Sequence, residues 1–227
     1  MNSETRLVEV RTRILKDNDV TARELRQRFR ESGVYVVSVV SSPGAGKTLF
    51  LEKTLTALRQ RYRVAALVGD LATENDARRL AQADVPVRQI TTGTVCHLEA
   101  KMVQAALGDW NLGNLDFLFI ENVGNLVCPA TYDLGEASRV VLFSVTEGED
   151  KPRKYPTIFH TADLAVITKM DLAEAVEFDA DQARASVQAV RPDMPMLELS
   201  AKTGQGMATW LEWLDRRSGR GGNPPPR

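Results

Sequence analysis

What most restricts the fold of this chain is an apolar run followed at once by a glycine-rich turn that leads into a helical stretch. Residues 34–40 are apolar apart from Tyr35 and Ser38, and Ser41-Ser42-Pro43-Gly44-Ala45-Gly46-Lys47-Thr48 comes next. Residues 47–60 then carry a helical pattern. In that context the turn is a phosphate-binding loop. Its glycines let backbone N–H groups turn inward around phosphate oxygens, and the helix N-terminus adds partial positive charge. Lys47 is placed to reach the β- and γ-phosphates of a nucleotide, and Thr48 to put its hydroxyl on Mg2+. Ser41 stands where such loops usually begin with glycine, but the flanking strand and helix still fit.

The alternation continues along the chain. Residues 64–68, 87–90, 115–120, 140–145, 164–168 and 196–199 read as strands, and 76–83, 95–107, 180–190 and 206–214 as helices. Near-continuous apolar strands separated by helices predict an α/β fold of three layers, a mostly parallel sheet covered by helices on both faces.

At 227 residues the chain has room for one domain and a small appendage. Residues 34–217 form the nucleotide domain. Residues 1–33 read as an N-terminal helical segment in two pieces. The first carries Leu7, Val10, Ile14 and Leu15, Lys16-Asp17-Asn18-Asp19 interrupts it, and Thr21-Ala22-Arg23-Glu24 opens the second as a capping box. This segment is either a solvated helical pair packed on the main domain or a docking arm for a partner protein. The Gly/Pro-rich residues 218–227 read as a disordered tail.

Composition narrows the function classes. With 29 Lys+Arg against 30 Asp+Glu, the net charge of −1 argues against binding nucleic acid or acidic membranes through bulk positive charge. The longest apolar run falls far short of the roughly 20 residues of a spanning helix, and the polar start has no signal-peptide core. Two cysteines cannot build a disulfide framework. A cytoplasmic protein with reduced thiols is expected.

The base of the nucleotide is chosen further on. Thr168-Lys169-Met170-Asp171 closes a strand and resembles the Asn-Lys-x-Asp motif of GTPases, with Thr in place of Asn. A carboxylate at Asp171 can accept from both N1–H and the 2-amino group of guanine, and adenine leaves it unpaired. The Lys169 stem can lie over the base. Ser200-Ala201-Lys202 follows the next strand and resembles the second guanine loop, where a backbone N–H points at O6. GTP is therefore expected over ATP. The missing Asn leaves one loop-bracing hydrogen bond open.

Acidic residues fall at strand ends, where a hard cation and an attacking water belong. Asp70 opens the stretch Asp70-x-x-Thr73-x-x-Asp76, and Glu121 ends the expected strand 115–120. Thr48, Asp70 and Glu121 are candidate Mg2+ residues, with Lys47, Asp70, Asp76 and Glu121 as the catalytic set. Gly124 is placed to offer its N–H to the γ-phosphate. No glutamine is positioned to orient water, so slow hydrolysis is expected.

A second constellation is soft. Cys96 and His97 fall where the first turn of a helix is expected, a position that favours the thiolate. Cys128 lies in Asn125-Leu126-Val127-Cys128-Pro129, downstream of Glu121. Cys, His and Cys suit Zn2+ or Ni2+, although spacing alone fits small buried hydrophobes as well. Three ligands leave a tetrahedral site incomplete, and a two-fold dimer would supply the rest.

Together these motifs resemble the HypB family, the hydrogenase nickel-insertion GTPases of the SIMIBI class. The matching pieces are the phosphate loop, residues 69–78, Thr92-Gly93-Thr94-Val95-Cys96-His97, Glu121-Asn122-Val123-Gly124-Asn125 with Cys128-Pro129, and the two guanine loops, over roughly residues 34–215. The resemblance implies a Ni2+/Zn2+ site at Cys96, His97 and Cys128, homodimerisation with GTP, and transfer of nickel involving a partner nickel metallochaperone and a hydrogenase large-subunit precursor. Many members carry an N-terminal Cys-x-x-Cys-Gly-Cys site and some a histidine-rich stretch, whereas here no cysteine precedes Cys96. High-affinity nickel storage at the N-terminus is therefore not implied. Three other readings stand beside it, one of them a cobalamin-enzyme chaperone GTPase, which would have no thiolate metal site. A urease-accessory nickel GTPase places Pro between its Cys and His, which are adjacent here. A metal-binding scaffold would use its nucleotide site mainly for folding.

Overall fold

The computed structural model describes residues 3–70 and 75–220. Its strands are β1 (Tyr35–Ser41), β2 (Val64–Asp70), β3 (Val87–Thr91), β4 (Phe117–Glu121), β5 (Ser138–Ser144), β6 (Leu164–Thr168) and β7 (Met196–Glu198). Its α-helices are α1 (Ser3–Glu31), α2 (Lys47–Leu58), α3 (Asn75–Ala81), α4 (Ala100–Leu107), α5 (Lys151–Lys154), α6 (Pro156–Thr161), α7 (Ala180–Val190) and α8 (Met207–Arg217). The strands form one sheet in the order β3-β2-β4-β1-β5-β6-β7, and every neighbouring pair is parallel. The expected mostly parallel sheet is thus wholly parallel among the described residues.

Alternation along the strands builds the two faces. On one face Val37, Val39, Phe117 and Phe119 pack with Phe50 and Leu55 of α2 and with Trp210 and Leu214 of α8. On the other, Val36, Leu118 and Ile120 meet Leu25 and Phe29 of α1 and Val103 and Leu107 of α4, while Val40, Val141 and Phe143 meet Phe159 of α6 and Val187 of α7. The buried Trp210 indole donates to Thr54 Oγ1 at 2.9 Å, so its polar edge is satisfied.

The register aligns the strand ends. Val39 and Val68 both pair with Glu121, and Ser144 pairs with Thr168. Ser41, Asp70, Glu121 and Thr168 therefore lie along one carboxyl-terminal rim, where parallel α/β sheets bind ligands.

Two helical expectations are corrected. α1 is one helix, not two. The polar residues at 16–19 do not break it, because Asn18 is buried and spends its side chain on tertiary partners. Thr21 Oγ1 donates back to Asp17 O one turn earlier and does not cap a new helix. The second correction concerns α4, which begins at Ala100. Cys96 and His97 thus lie in the loop before it and not in its first turn. The side chains of Leu7 and Val10, residue Thr73 and residues 221–227 lie outside the described residues. At the start of the expected tail, Arg220 pairs with Asp116 at 2.9 Å and donates to Gly33 O at 2.7 Å, so the chain is held against the sheet up to that point.

Candidate functional site

The phosphate loop runs from the end of β1 into α2. Gly44 and Gly46 have φ values of 75° and 94°, the left-handed backbone that turns the loop around its own N–H groups. Ser41 fills its position with a role of its own, since Lys47 Nζ donates to Ser41 Oγ at 3.1 Å. Pro43, Gly44, Gly46, Lys47, Thr48, Asp70, Asp76 and Gly124 line one cavity of about 480 Å3, and Arg79 joins them from α3. Gly124 lies close on the loop, where an added Cβ would stand 3.1 Å from Pro43 Cγ.

From the wall of this cavity Thr48 Oγ1 donates to Glu121 Oε1 at 3.0 Å, behind the lining. Glu121 is 2% exposed, and its other oxygen has no hydrogen-bond partner. Burial pushes its carboxyl up to about 7, with Asp76 adding to the rise and Lys47 and Thr48 opposing it. Burial also lowers the Lys47 ammonium below its usual range, opposed first by Glu121 and then by Asp76, Glu147 and Asp70. A buried carboxylate oxygen without a partner, beside a threonine hydroxyl and two further acids, is a donor set for a hard divalent cation.

The base side adjoins it. Ala45, Gly46, Thr168, Lys169, Asp171, Ser200, Ala201 and Lys202 line a second cavity of about 180 Å3. Ser200 Oγ donates to Asp171 Oδ1 at 2.6 Å and so joins the two guanine loops. Lys169 has φ 59°, and its Cε would lie 3.9 Å from a Cβ on Gly46, so the stem runs beside the phosphate loop. The brace left open by the missing Asn is present in another form, as the Thr168 hydroxyl donates to Ala45 O at 2.7 Å.

The soft ligands meet as well. One ligand atom each from Cys96, His97 and Cys128 lies within 4.8 Å of the others. That span is comparable with twice a metal–ligand bond of about 2.0–2.3 Å. Cys96 Sγ is 2.9 Å from Cys128 Sγ. The His97 ring packs on Tyr132 with centroids 4.0 Å apart, and neither ring nitrogen is hydrogen-bonded. Glu99 Oε1 stands 3.6 Å from Nε2. Burial lowers the His97 pKa against the opposing pull of Glu99, which favours the neutral imidazole that binds metal.

The structure brings the sequence-derived residues into two groups, the phosphate and base cavities and the soft cluster. It leaves His160 apart, on α6. It also adds residues that no motif marked. Arg79 lines the phosphate-loop cavity one turn after Asp76, and Tyr132 covers His97, while Asn122, which the sequence motif contains without a role, bonds the loop of His97. The α3 spacing could have revealed Arg79, whereas Tyr132 is a long-range partner with no local signal, and the motif around Asn122 gives no sign of its bond to Leu98.

Fold and site together define a P-loop nucleotide-binding protein that also carries a Cys/His cluster. Residues 35–198 match the family described as CobW/HypB/UreG, nucleotide-binding domain. The hydrogenase maturation factor HypB of Azotobacter vinelandii is 47% identical over 219 residues, covering 96% of this chain and 72% of that protein. Among solved structures, HypB from Helicobacter pylori in complex with nickel has 40% identity and a TM-score of 0.85 over 93% of this chain and 99% of that one. The hydrogenase maturation factor HypB from Archaeoglobus fulgidus has 38% identity and a TM-score of 0.83 over 89% and 99%. The chain therefore belongs to the CobW/HypB/UreG family of P-loop GTPases, among the HypB hydrogenase maturation factors.

Proposed function

We propose that this protein is a GTP-hydrolysing metallochaperone that delivers nickel during [NiFe]-hydrogenase maturation. One observation carries the reading. A single loop begins at Glu121, bonded to Thr48, and ends at Cys128, in contact with Cys96. Its relatives are named hydrogenase maturation factors, and the H. pylori protein was solved with nickel.

In this reading the backbone of Pro43, Gly44, Ala45 and Gly46 holds the phosphates, and Lys47 neutralises their charge. Asp171 pairs with guanine, Lys169 covers its face, and Ser200-Ala201-Lys202 closes the base cavity. Thr48, Asp70 and Glu121 hold Mg2+, which supplies charge neutralisation at the phosphates when bound. Asp70, Asp76 and Glu121 bound the space for the attacking water. Turnover is slow, because no glutamine lines the phosphate cavity among the described residues.

Cys96, His97 and Cys128 take Ni2+ or Zn2+ as cargo and leave coordination open for a second copy, which joins when GTP binds. Movement of the 121–128 loop on hydrolysis loosens Cys128 and releases the metal towards a partner nickel metallochaperone and the hydrogenase large-subunit precursor. The setting is cytoplasmic, and no helix among the described residues is long and apolar enough to cross a membrane.

The test combines turnover with metal analysis. Wild type is expected to hydrolyse GTP and to bind Ni2+ as a dimer with a GTP analogue, and Lys47→Ala to lose turnover. A monomer without bound nickel in every nucleotide state overturns the proposal. Equal turnover in wild type and Lys47→Ala favours the scaffold reading.

A further inference from the structure

The nucleotide and metal loops meet at a buried amide. Asn122 follows Glu121 and is 2% exposed. Its Oδ1 accepts from Val123 N at 2.9 Å and from Leu98 N at 3.1 Å. Leu98 comes directly after His97 and is fully buried. Its side chain fills the space above Gly69, where an added Cβ would stand 2.8 Å from Leu98 Cγ. Gly69 in turn precedes Asp70. The His97 loop is thus gripped at one residue by the two strands, β2 and β4, that end in Asp70 and Glu121.

The far side of the same loop is tied elsewhere. Ala100 N donates to Asn18 Oδ1 at 2.8 Å, and Asn18 Nδ2 donates to Asp133 O at 2.9 Å. Arg26 also pairs with Asp133, at 2.6 Å. Both metal loops are therefore fastened to α1, and among the described residues none from α1 lines the phosphate cavity. One end of the Cys96–His97 loop is anchored to a helix remote from the nucleotide, and the other to the residue next to Glu121.

Gly124, two residues past Asn122, packs on Pro43 and lines the phosphate cavity. A shift of residues 122–124 with the phosphates must carry Leu98 along or strand a buried N–H, and stranding it is the costlier course. We propose that Asn122 is a positioning residue that transmits the nucleotide state to the Cys96–His97 side of the metal site, with Asn18 as the fixed anchor. This rests on the nickel-GTPase reading. By linkage, nucleotide and metal then alter each other's affinity by the same factor.

The test uses the full chain. Ni2+ affinity is read from thiolate-to-nickel charge-transfer absorption, with GDP and with a non-hydrolysable GTP analogue, in wild type, Asn122→Ala and Asn18→Ala. Wild-type affinities are expected to differ by about three- to tenfold between nucleotides, the scale of one buried hydrogen bond. Asn122→Ala brings the ratio to within about twofold, while Asn18→Ala weakens nickel in both states by similar factors and keeps the ratio. Hydrogen exchange in wild type is a second readout that holds even if Asn122→Ala fails to fold, and Leu98 N–H is expected to stay protected in both nucleotide states. Three results overturn the proposal: a wild-type ratio in Asn122→Ala, an unprotected Leu98 amide in either state, or wild-type nickel affinity indifferent to nucleotide. Each of these leaves the nickel reading standing, whereas a wild type that binds no nickel at all removes both.

Discussion

Cys96 Sγ and Cys128 Sγ stand 2.9 Å apart although 32 residues separate them in sequence. Cys96 lies between β3 and α4, while Cys128 opens the turn beyond β4, and the hydrogen bond from Leu98 N to Asn122 Oδ1 ties the two loops together. Cys96→Ala and Cys128→Ala should each weaken Ni2+ binding by more than the about 10–100-fold that changes in outer-shell residues cost. Competition against a chelator of known affinity measures this. Wild-type affinity in either variant would remove that sulfur from the site.

Glu121 gives the protein a pH dependence whose sign follows from its burial. Its carboxyl, near 4.5 when unperturbed, is raised to about 7 in the fold. The folded state therefore keeps a proton that the unfolded chain releases. The associated stability is fully present below the unfolded value and is lost as pH rises through about 7. A divalent cation competes with that proton, so affinity for Mg2+-nucleotide should climb across the same window. Calorimetric titration at about pH 6 and about pH 8 reads the change, and Glu121→Gln should flatten it.

Asp171 should decide the base. Replacing it with Ala removes an acceptor for two charge-assisted hydrogen bonds of about 1.5–3 kcal/mol each, so GTP affinity should fall by about 100-fold or more with little change for ATP. Ser200→Ala, which removes only the 2.6 Å hydrogen bond onto that carboxylate, should cost about tenfold. Competition binding with both nucleotides tests the pair, and an equal loss for ATP and GTP would count against Asp171 as the guanine reader.

Gly135 allows the close approach of α1. Its φ is 80°, and an added Cβ would lie 2.8 Å from Ala22 O and 2.9 Å from Leu25 Cβ. Gly135→Ala should destabilise the fold by about 1–3 kcal/mol, a drop of several degrees in Tm for a chain of this size. Trp210→Ala, on the opposite face of the sheet, should cost about 3–5 kcal/mol. Thermal unfolding measures both, and a wild-type Tm for Gly135→Ala would mean that α1 moves aside without cost.

Much of this was legible locally. The phosphate loop, the guanine loops and the strand–helix alternation are read from neighbouring residues, because period and turn chemistry are properties of short segments. The strand at 164–168 and the helix at 180–190 fall where their patterns place them. The errors lie where a distant partner overrides the local signal. Residues 16–19 look like a break, yet Asn18 finds Ala100 and Asp133 and the helix continues. Cys96 and His97 look like a helix start, yet Leu98 is held by Asn122 and Gly69, and α4 begins at Ala100.

The sequence by itself therefore determined the class of fold, the phosphate loop and the residue types available for guanine, a hard cation and a soft metal. Only the tertiary structure decided that Thr168 braces Ala45 in place of the missing asparagine, that Glu121 is buried enough to hold a proton near neutrality, and that two cysteines far apart in sequence touch. The physical reason is the same in each case. Motifs are written in adjacent residues, whereas desolvation, long-range hydrogen bonds and the approach of two loops depend on which strands the parallel sheet sets next to one another.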